Sequence, residues 1–116
     1  MFGKTLLELT NATASADGAT QDTSTDVIYP GYKMIIRNVV TVDSASGGNV
    51  VIKVQDSLDG TIWREIVAFS AKSAVATTTE HYTPNMDTLC LMPYIRAIAV
   101  VSGTIQFDCE VKILFR

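Results

Sequence analysis

The 116-residue chain carries two cysteines, one histidine, three prolines and one tryptophan, and each scarcity excludes a class of chemistry. Cys90 and Cys109 lack CxxC spacing, which leaves no redox or zinc-ribbon pattern, and with no secretory leader they read as buried free thiols rather than a disulfide. His81 stands alone, with neither a nucleophile partner nor a second metal ligand fixed by the sequence. No apolar run approaches the roughly 20 residues that a membrane-spanning helix needs; the longest candidate, residues 95–101, is only strand length. The opening residues, Met1-Phe2-Gly3-Lys4-Thr5-Leu6-Leu7-Glu8-Leu9, hold one lysine and an apolar patch broken by Glu8, a poor export signal, so synthesis and retention in a cytoplasm are expected. The Asn11-Ala12-Thr13 sequon has meaning only under eukaryotic export.

Charge of either sign is also sparse. Nine basic and twelve acidic residues give a net charge of -3, and the basic ones are scattered, so no stretch can neutralise consecutive phosphates and nucleic acid is not an expected partner. A hydrophobic content of 47% with 18% charged residues places the chain among those that fold, and its length suits a single core.

Reactive constellations are missing as well. No serine sits in a Gly-x-Ser-x-Gly elbow to use His81, and no glycine-rich phosphate loop occurs. Asp108 and Glu110 lie on one face of a strand, some 7 Å apart at two residues' rise, a separation found in paired glycosidase carboxylates. Gln106 and Lys112 flank them with no aromatic sugar platform, which favours a plain solvated face. Asp56, Asp59 and Gly60 superficially resemble a calcium loop, but the alternating aspartates and closing glutamate are absent. No catalytic residue, cofactor, metal or small-molecule substrate is therefore expected: the chain does not read as an enzyme.

What is present is β structure. Residues 50–54 alternate, run into Asp59-Gly60 and return through Trp63, the strongest short-range hairpin signal, because Asp and Gly tolerate the positive φ of a tight turn. Residues 33–42 form a β-branched strand apolar on both faces, hence central or doubly covered, after a Pro30-Gly31 turn. A loop is expected over 43–49 around Gly47-Gly48, a return strand over 62–70 and a further strand over 74–82. A loop over 83–87 then leads into residues 89–92. Residues 94–101 and 104–115 read as two strands joined through Ser102-Gly103, the second strictly alternating from Ile105 to Phe115. Residues 10–26 are small and polar and cannot fill a core, which suggests an arm or a weakly held edge strand. The fold class is all-β: a single antiparallel β-sandwich, jelly-roll or Ig-like, of about seven to nine strands. Residues 1–26 form an extended N-terminal arm or edge segment and 27–116 the sandwich domain.

The stretch Gln55-Asp56-Ser57-Leu58-Asp59-Gly60-Thr61-Ile62-Trp63, then Tyr94-Ile95-Arg96-Ala97 and an alternating strand after Ser102-Gly103, resembles small β-sandwich structural proteins of tailed bacteriophages, which carry a Ser-x-Asp-Gly-x-x-Trp turn and a Tyr-(Ile/Val)-Arg strand in that order. The resemblance spans roughly residues 33–115. It implies a virion component made in the host cytoplasm, foremost a capsid decoration (cement) protein bound between major capsid protein subunits. A neck or tail position is the alternative within that resemblance. Discoidin-type carbohydrate-binding jelly rolls share the turn, but they are longer and carry terminal cysteines and exposed loop aromatics or basic residues.

A clamping role asks for surface and complementarity, and for no activated group. The expected partners are the major capsid protein or other virion proteins, together with further copies of the chain as a dimer or trimer. Phe2, Leu6, Leu7 and Leu9 are the candidate contact residues, on an apolar N-terminal arm that reaches a neighbour. Asp59, Gly60 and Trp63 define the hairpin. Trp63 is either packed or an exposed ligand platform, and Tyr82 is the other aromatic from which a glycan-holding loop would be built.

Overall fold

Two stretches rich in β-branched residues become two very long strands, and the other described strands pair with their edges. The computed structural model describes residues 2–23, 34–84 and 91–115. In chain order the strands are β1 (Phe2–Ala12), β2 (Ala16–Asp17), β3 (Gln21–Asp22), β4 (Met34–Ser57), β5 (Trp63–Ala68), β6 (Thr77–Tyr82) and β7 (Tyr94–Phe115), all antiparallel in one seven-stranded sheet. β4 pairs with β7 from Met34↔Phe115 to Ser57↔Tyr94. β1, β2 and β3 line the far edge of β7, while β5 and β6 line that of β4.

A straight 24-residue strand would be roughly 80 Å long, yet the longest dimension of the molecule is 46 Å, so the ribbon folds back on itself. The bend lies where register shifts between Val42 and Ser44 and between Ser46 and Gly47; each bulge adds an unpaired residue and kinks its strand. Gly103 faces this corner with φ 71°, and a Cβ there would lie 2.8 Å from the Gly47 carbonyl oxygen. Only glycine fits such a position without strain.

Side-chain alternation then places one face of both halves inside. Met34, Ile36, Val40, Val42, Val50, Ile52 and Val54 of β4 meet Ile95, Ala97, Ala99 and the odd-numbered residues 105–115 of β7 in a single buried cluster, joined by Leu6, Leu7 and Phe69. The result is the expected all-β sandwich, made by folding one sheet over. At the N-terminus, β1 is an edge strand, paired with β7 from Phe2↔Phe115 to Ala12↔Phe107.

Three local expectations are corrected. The loop over 43–49 and the Ser102-Gly103 joint do not end strands; they are the bulged corner inside β4 and β7, because long-range pairing continues on both sides of it. The strand expected over 74–82 starts at Thr77. The Pro30-Gly31 turn, Cys90 and the greater part of the 83–87 loop fall outside the described residues.

Asn38 of β4 points into the core among the apolar residues. Asn38 is 1% exposed, and neither its Oδ1 nor its Nδ2 has a hydrogen-bond partner. An unpaired buried polar group costs about 1–3 kcal/mol.

Two outcomes in chemical denaturation follow. Gly103→Ala should lose about 1–3 kcal/mol, because it forces a Cβ into the left-handed region and against the facing strand. Asn38→Leu should be neutral or stabilising by up to about 2 kcal/mol, since an apolar group of similar volume removes the unpaired amide; a large destabilisation by this change would show that the amide is satisfied in solution.

Candidate functional site

β4 ends in two polar residues where its alternation predicts one. Asp56 and Ser57 are both fully buried, and each organises the β4–β5 hairpin in its own way. The Asp56 carboxylate receives two parallel bonds from Arg64, Nε to Oδ1 at 2.9 Å and Nη2 to Oδ2 at 2.7 Å, and the Met92 backbone N–H donates to Oδ2 at 3.0 Å. Asp56 and Arg64 are direct cross-strand neighbours. This pairing ties the residues before β7 to the end of β4, and a buried carboxylate held by a fork-shaped donor fixes geometry as well as charge.

Ser57 and Asp59 build the turn itself. The hairpin closes on Ser57↔Trp63 and is therefore wider than the tight Asp-Gly turn. Only Gly60 of the pair has positive φ, at 79°. Asp59 holds the loop with its side chain: Oδ1 accepts from the Thr61 N–H at 2.8 Å, the Ile62 N–H at 3.0 Å and the Ser57 hydroxyl at 3.1 Å. Ser57 Oγ in turn accepts from the Gly60 N–H at 2.9 Å. The amides of Ile62 and Thr61, and then the Ser57 hydroxyl, hold the Asp59 carboxyl below its ordinary range.

This hydrogen-bonded frame pushes two aliphatic side chains into water. Leu58 is 72% exposed and Ile62 77%. Together with Asp59, Trp63, Arg64 and Met92 they line an open cleft of about 260 Å³. Trp63 is half-buried; the Arg96 guanidinium lies 4.2 Å from its ring centroid, and Arg96 is itself held by a 2.9 Å bond from Nε to Gln55 Oε1. One indole face is thus occupied by a cation. The polar groups around the cleft are already engaged, Asp59 by the turn and Arg64 by Asp56. What the tip presents is an exposed apolar surface on a hydrogen-bonded turn.

The other expected contact residues lie elsewhere. Leu6 and Leu7 are buried in the chain's own core, which removes both from direct contact with a neighbour in this fold; Leu9 is half-buried against that core. The Phe2 side chain lies outside the described residues. Tyr82 packs against the core and His81 is exposed. The exposed tip aliphatics Leu58 and Ile62 are not singled out by the sequence reading, although they flank the Asp-Gly pair; their place in a turn, where apolar residues have nothing to bury against, is the available signal.

The carboxylates of β7 are engaged in pairs. Glu110 accepts from Arg37 Nη2 at 3.0 Å, and Asp108 Oδ1 accepts from the Asn11 N–H at 2.7 Å. Desolvation, and then the nearby Asp108 carboxylate, raise the Asp43 carboxyl. Burial pushes the Cys109 thiol up to about 11, which keeps it protonated at neutral pH. Among the described residues no three His, Cys, Asp or Glu side chains come together as a metal cage.

Because the folded pKa of Asp59 lies below its ordinary 3.8, its bonds to the turn are present above that value and are lost as pH falls through the lowered one. The Thr61 and Ile62 amide resonances should therefore titrate together with a midpoint below 3.8, and Asp59→Ala should abolish that titration. A midpoint at the ordinary value would mean that the turn bonds do not persist in solution.

No protein-family model matches the sequence, and no curated protein matches it. Among solved structures the chain is similar in fold to the PBSX exported protein XepA, with a TM-score of 0.61 at 14% identity, over 97% of this chain and 36% of that one. The chain thus spans about a third of the length of that neighbour.

Proposed function

We propose that the chain is a non-enzymatic structural protein of a phage virion, a capsid decoration protein that binds between major capsid protein subunits and uses the β4–β5 hairpin tip as a contact. The observation that carries this reading is the tip itself: a turn frozen by Ser57 and Asp59 that presents Leu58 and Ile62 to solvent beside Trp63. Exposed aliphatics on a preorganised turn are ready for association, because the ordering cost is met before the partner arrives.

Two further lines support it. The shared fold with a protein of phage PBSX agrees with the resemblance of the turn and of the Tyr94-Ile95-Arg96 strand to phage sandwich proteins. Among the described residues, Asp108 and Glu110 each accept a hydrogen bond and the Cys109 thiol is protonated at neutral pH, so these three groups are not poised for acid–base or nucleophilic work. A neck or tail position would use the same tip on a different neighbour.

The test is binding of purified protein to capsids assembled from the major capsid protein, followed by sedimentation and mass analysis. The chain should saturate at a fixed ratio to capsid subunits, and the double variant Leu58→Asp, Ile62→Asp should lose binding by at least about tenfold with an unchanged melting temperature, since both side chains are solvent-exposed. A chain that ignores capsids yet gives saturable binding on a glycan array, abolished by Trp63→Ala, would sink the proposal in favour of a carbohydrate-binding module.

A further inference from the structure

Sheet edges attract other strands unless something interrupts them, and the edges of this sheet are guarded unequally. β1 carries two register shifts against β7, between Thr5 and Leu7 and between Leu9 and Ala12. β5 carries a shift where it meets Val54 and Gln55, and presents the charged Arg64 and Glu65. β2 and β3 are two residues each. β6 differs from all of these: six consecutive rungs, Ile36↔Tyr82 to Thr41↔Thr77, run without a shift, and the strand holds neither proline nor lysine. Among the described strands β6 pairs with β4 alone.

Backbone alternation shows what β6 offers on its free side. The Val42 N–H donates to the Ala76 carbonyl at 2.9 Å, in the same register as the rungs that follow. The even-numbered residues of β6 therefore turn their backbone groups toward β4, and Thr77, Thr79 and His81 turn theirs outward. The side chains of those three residues are exposed, whereas those of Thr78, Glu80 and Tyr82 face inward and are half-buried. Glu80 is the inward-facing charge that would normally discourage pairing, but Lys72 lies 2.7 Å from it. The Thr78 hydroxyl is buried with no hydrogen-bond partner.

We propose that β6 is a self-association edge that pairs antiparallel with β6 of a second copy about a twofold axis at Thr79. In that register both outward-facing backbones match, Thr79 with Thr79 and Thr77 with His81, so every outward N–H and C=O of the three residues finds a partner. On the inner side Thr78 of each copy falls opposite Glu80 of the other, which gives the unpartnered hydroxyl a carboxylate acceptor. Centring on Glu80 instead would oppose two like charges, which disfavours that register. A threonine pair across the axis is among the favourable cross-strand pairs, and a contact that matches a surface to itself closes after two copies. An interface of one strand pair lies at the weak end of the size range, so the dimer is concentration-dependent. This inference concerns self-pairing and stands apart from the capsid reading.

The test is sedimentation equilibrium of the full chain, with Thr79→Glu and Thr79→Lys as probes, because residue 79 is exposed and a charged side chain there is tolerated by a single chain. The wild type should pass from monomer to dimer with rising concentration. Each variant alone should stay monomeric with an unchanged circular dichroism spectrum, and an equimolar mixture of the two should recover the dimer, since opposite charges then face each other across the axis. A wild type monomeric up to about 1 mM, a Thr79→Glu protein that dimerises as the wild type does, or a mixture that stays monomeric would each overturn the proposal.

Discussion

The ladder between β4 and β7 is the interaction on which the rest of the molecule depends. It joins Met34 to Phe115 at one end and Ser57 to Tyr94 at the other, and every other described strand is bonded to one of these two. Neither strand has an apolar face to bury until the ribbon bends, because a single flat sheet would leave Val40, Ile52, Phe107 and their neighbours in water. The bend converts one sheet into its own partner layer. Nineteen of the described residues then form one core across both halves, and burial of that size is the main favourable term in folding. The bulged corner with Gly103 is thus as important to stability as any side chain in the core, although its own residues Ser44, Ser46, Gly47, Ser102 and Gly103 are exposed.

Much of this was legible in the residues. The strict alternation of 105–115, the β-branched run of 34–42 and the Asp-Gly hairpin each appear where the sequence places them, because period-two patterns and turn chemistry are local properties. The corner was not legible. Gly47-Gly48 and Ser102-Gly103 carry the same local signal whether a chain reverses or merely kinks, and the choice is made by the facing strand. Leu6 and Leu7 misled for a related reason: an apolar patch before a polar linker looks like a free arm until β7 is present to receive it. Within the candidate site, Asp59 and Gly60 were readable as a turn. The burial of Asp56 was not, since its partner Arg64 becomes a neighbour only once the hairpin register is set.

The hairpin tip and the β6 edge divide two kinds of readiness between the ends of β4. At the tip, side-chain oxygens of Asp56, Ser57 and Asp59 hold backbone and guanidinium groups so that the apolar residues have a fixed shape before any contact is made. At β6 the readiness lies in the backbone, with an uninterrupted row of donors and acceptors and a row of threonines above it. The side chains of Leu58 and Ile62 at the tip, and of Thr77, Thr79 and His81 at the edge, are exposed, so changes to them leave the folded ribbon intact.

The distance along the chain between ladder partners has a kinetic consequence. The β4–β5 hairpin closes a short loop and can form early, but each rung between β4 and β7 requires that remote segments meet before any of the core is gained. Loop-closure entropy then comes ahead of the stabilising contacts, which is the signature of slow-folding β proteins. During that interval β4 presents long unpaired edges, and the same bonding capacity that later seals the sandwich makes the nascent chain prone to pair with its neighbours.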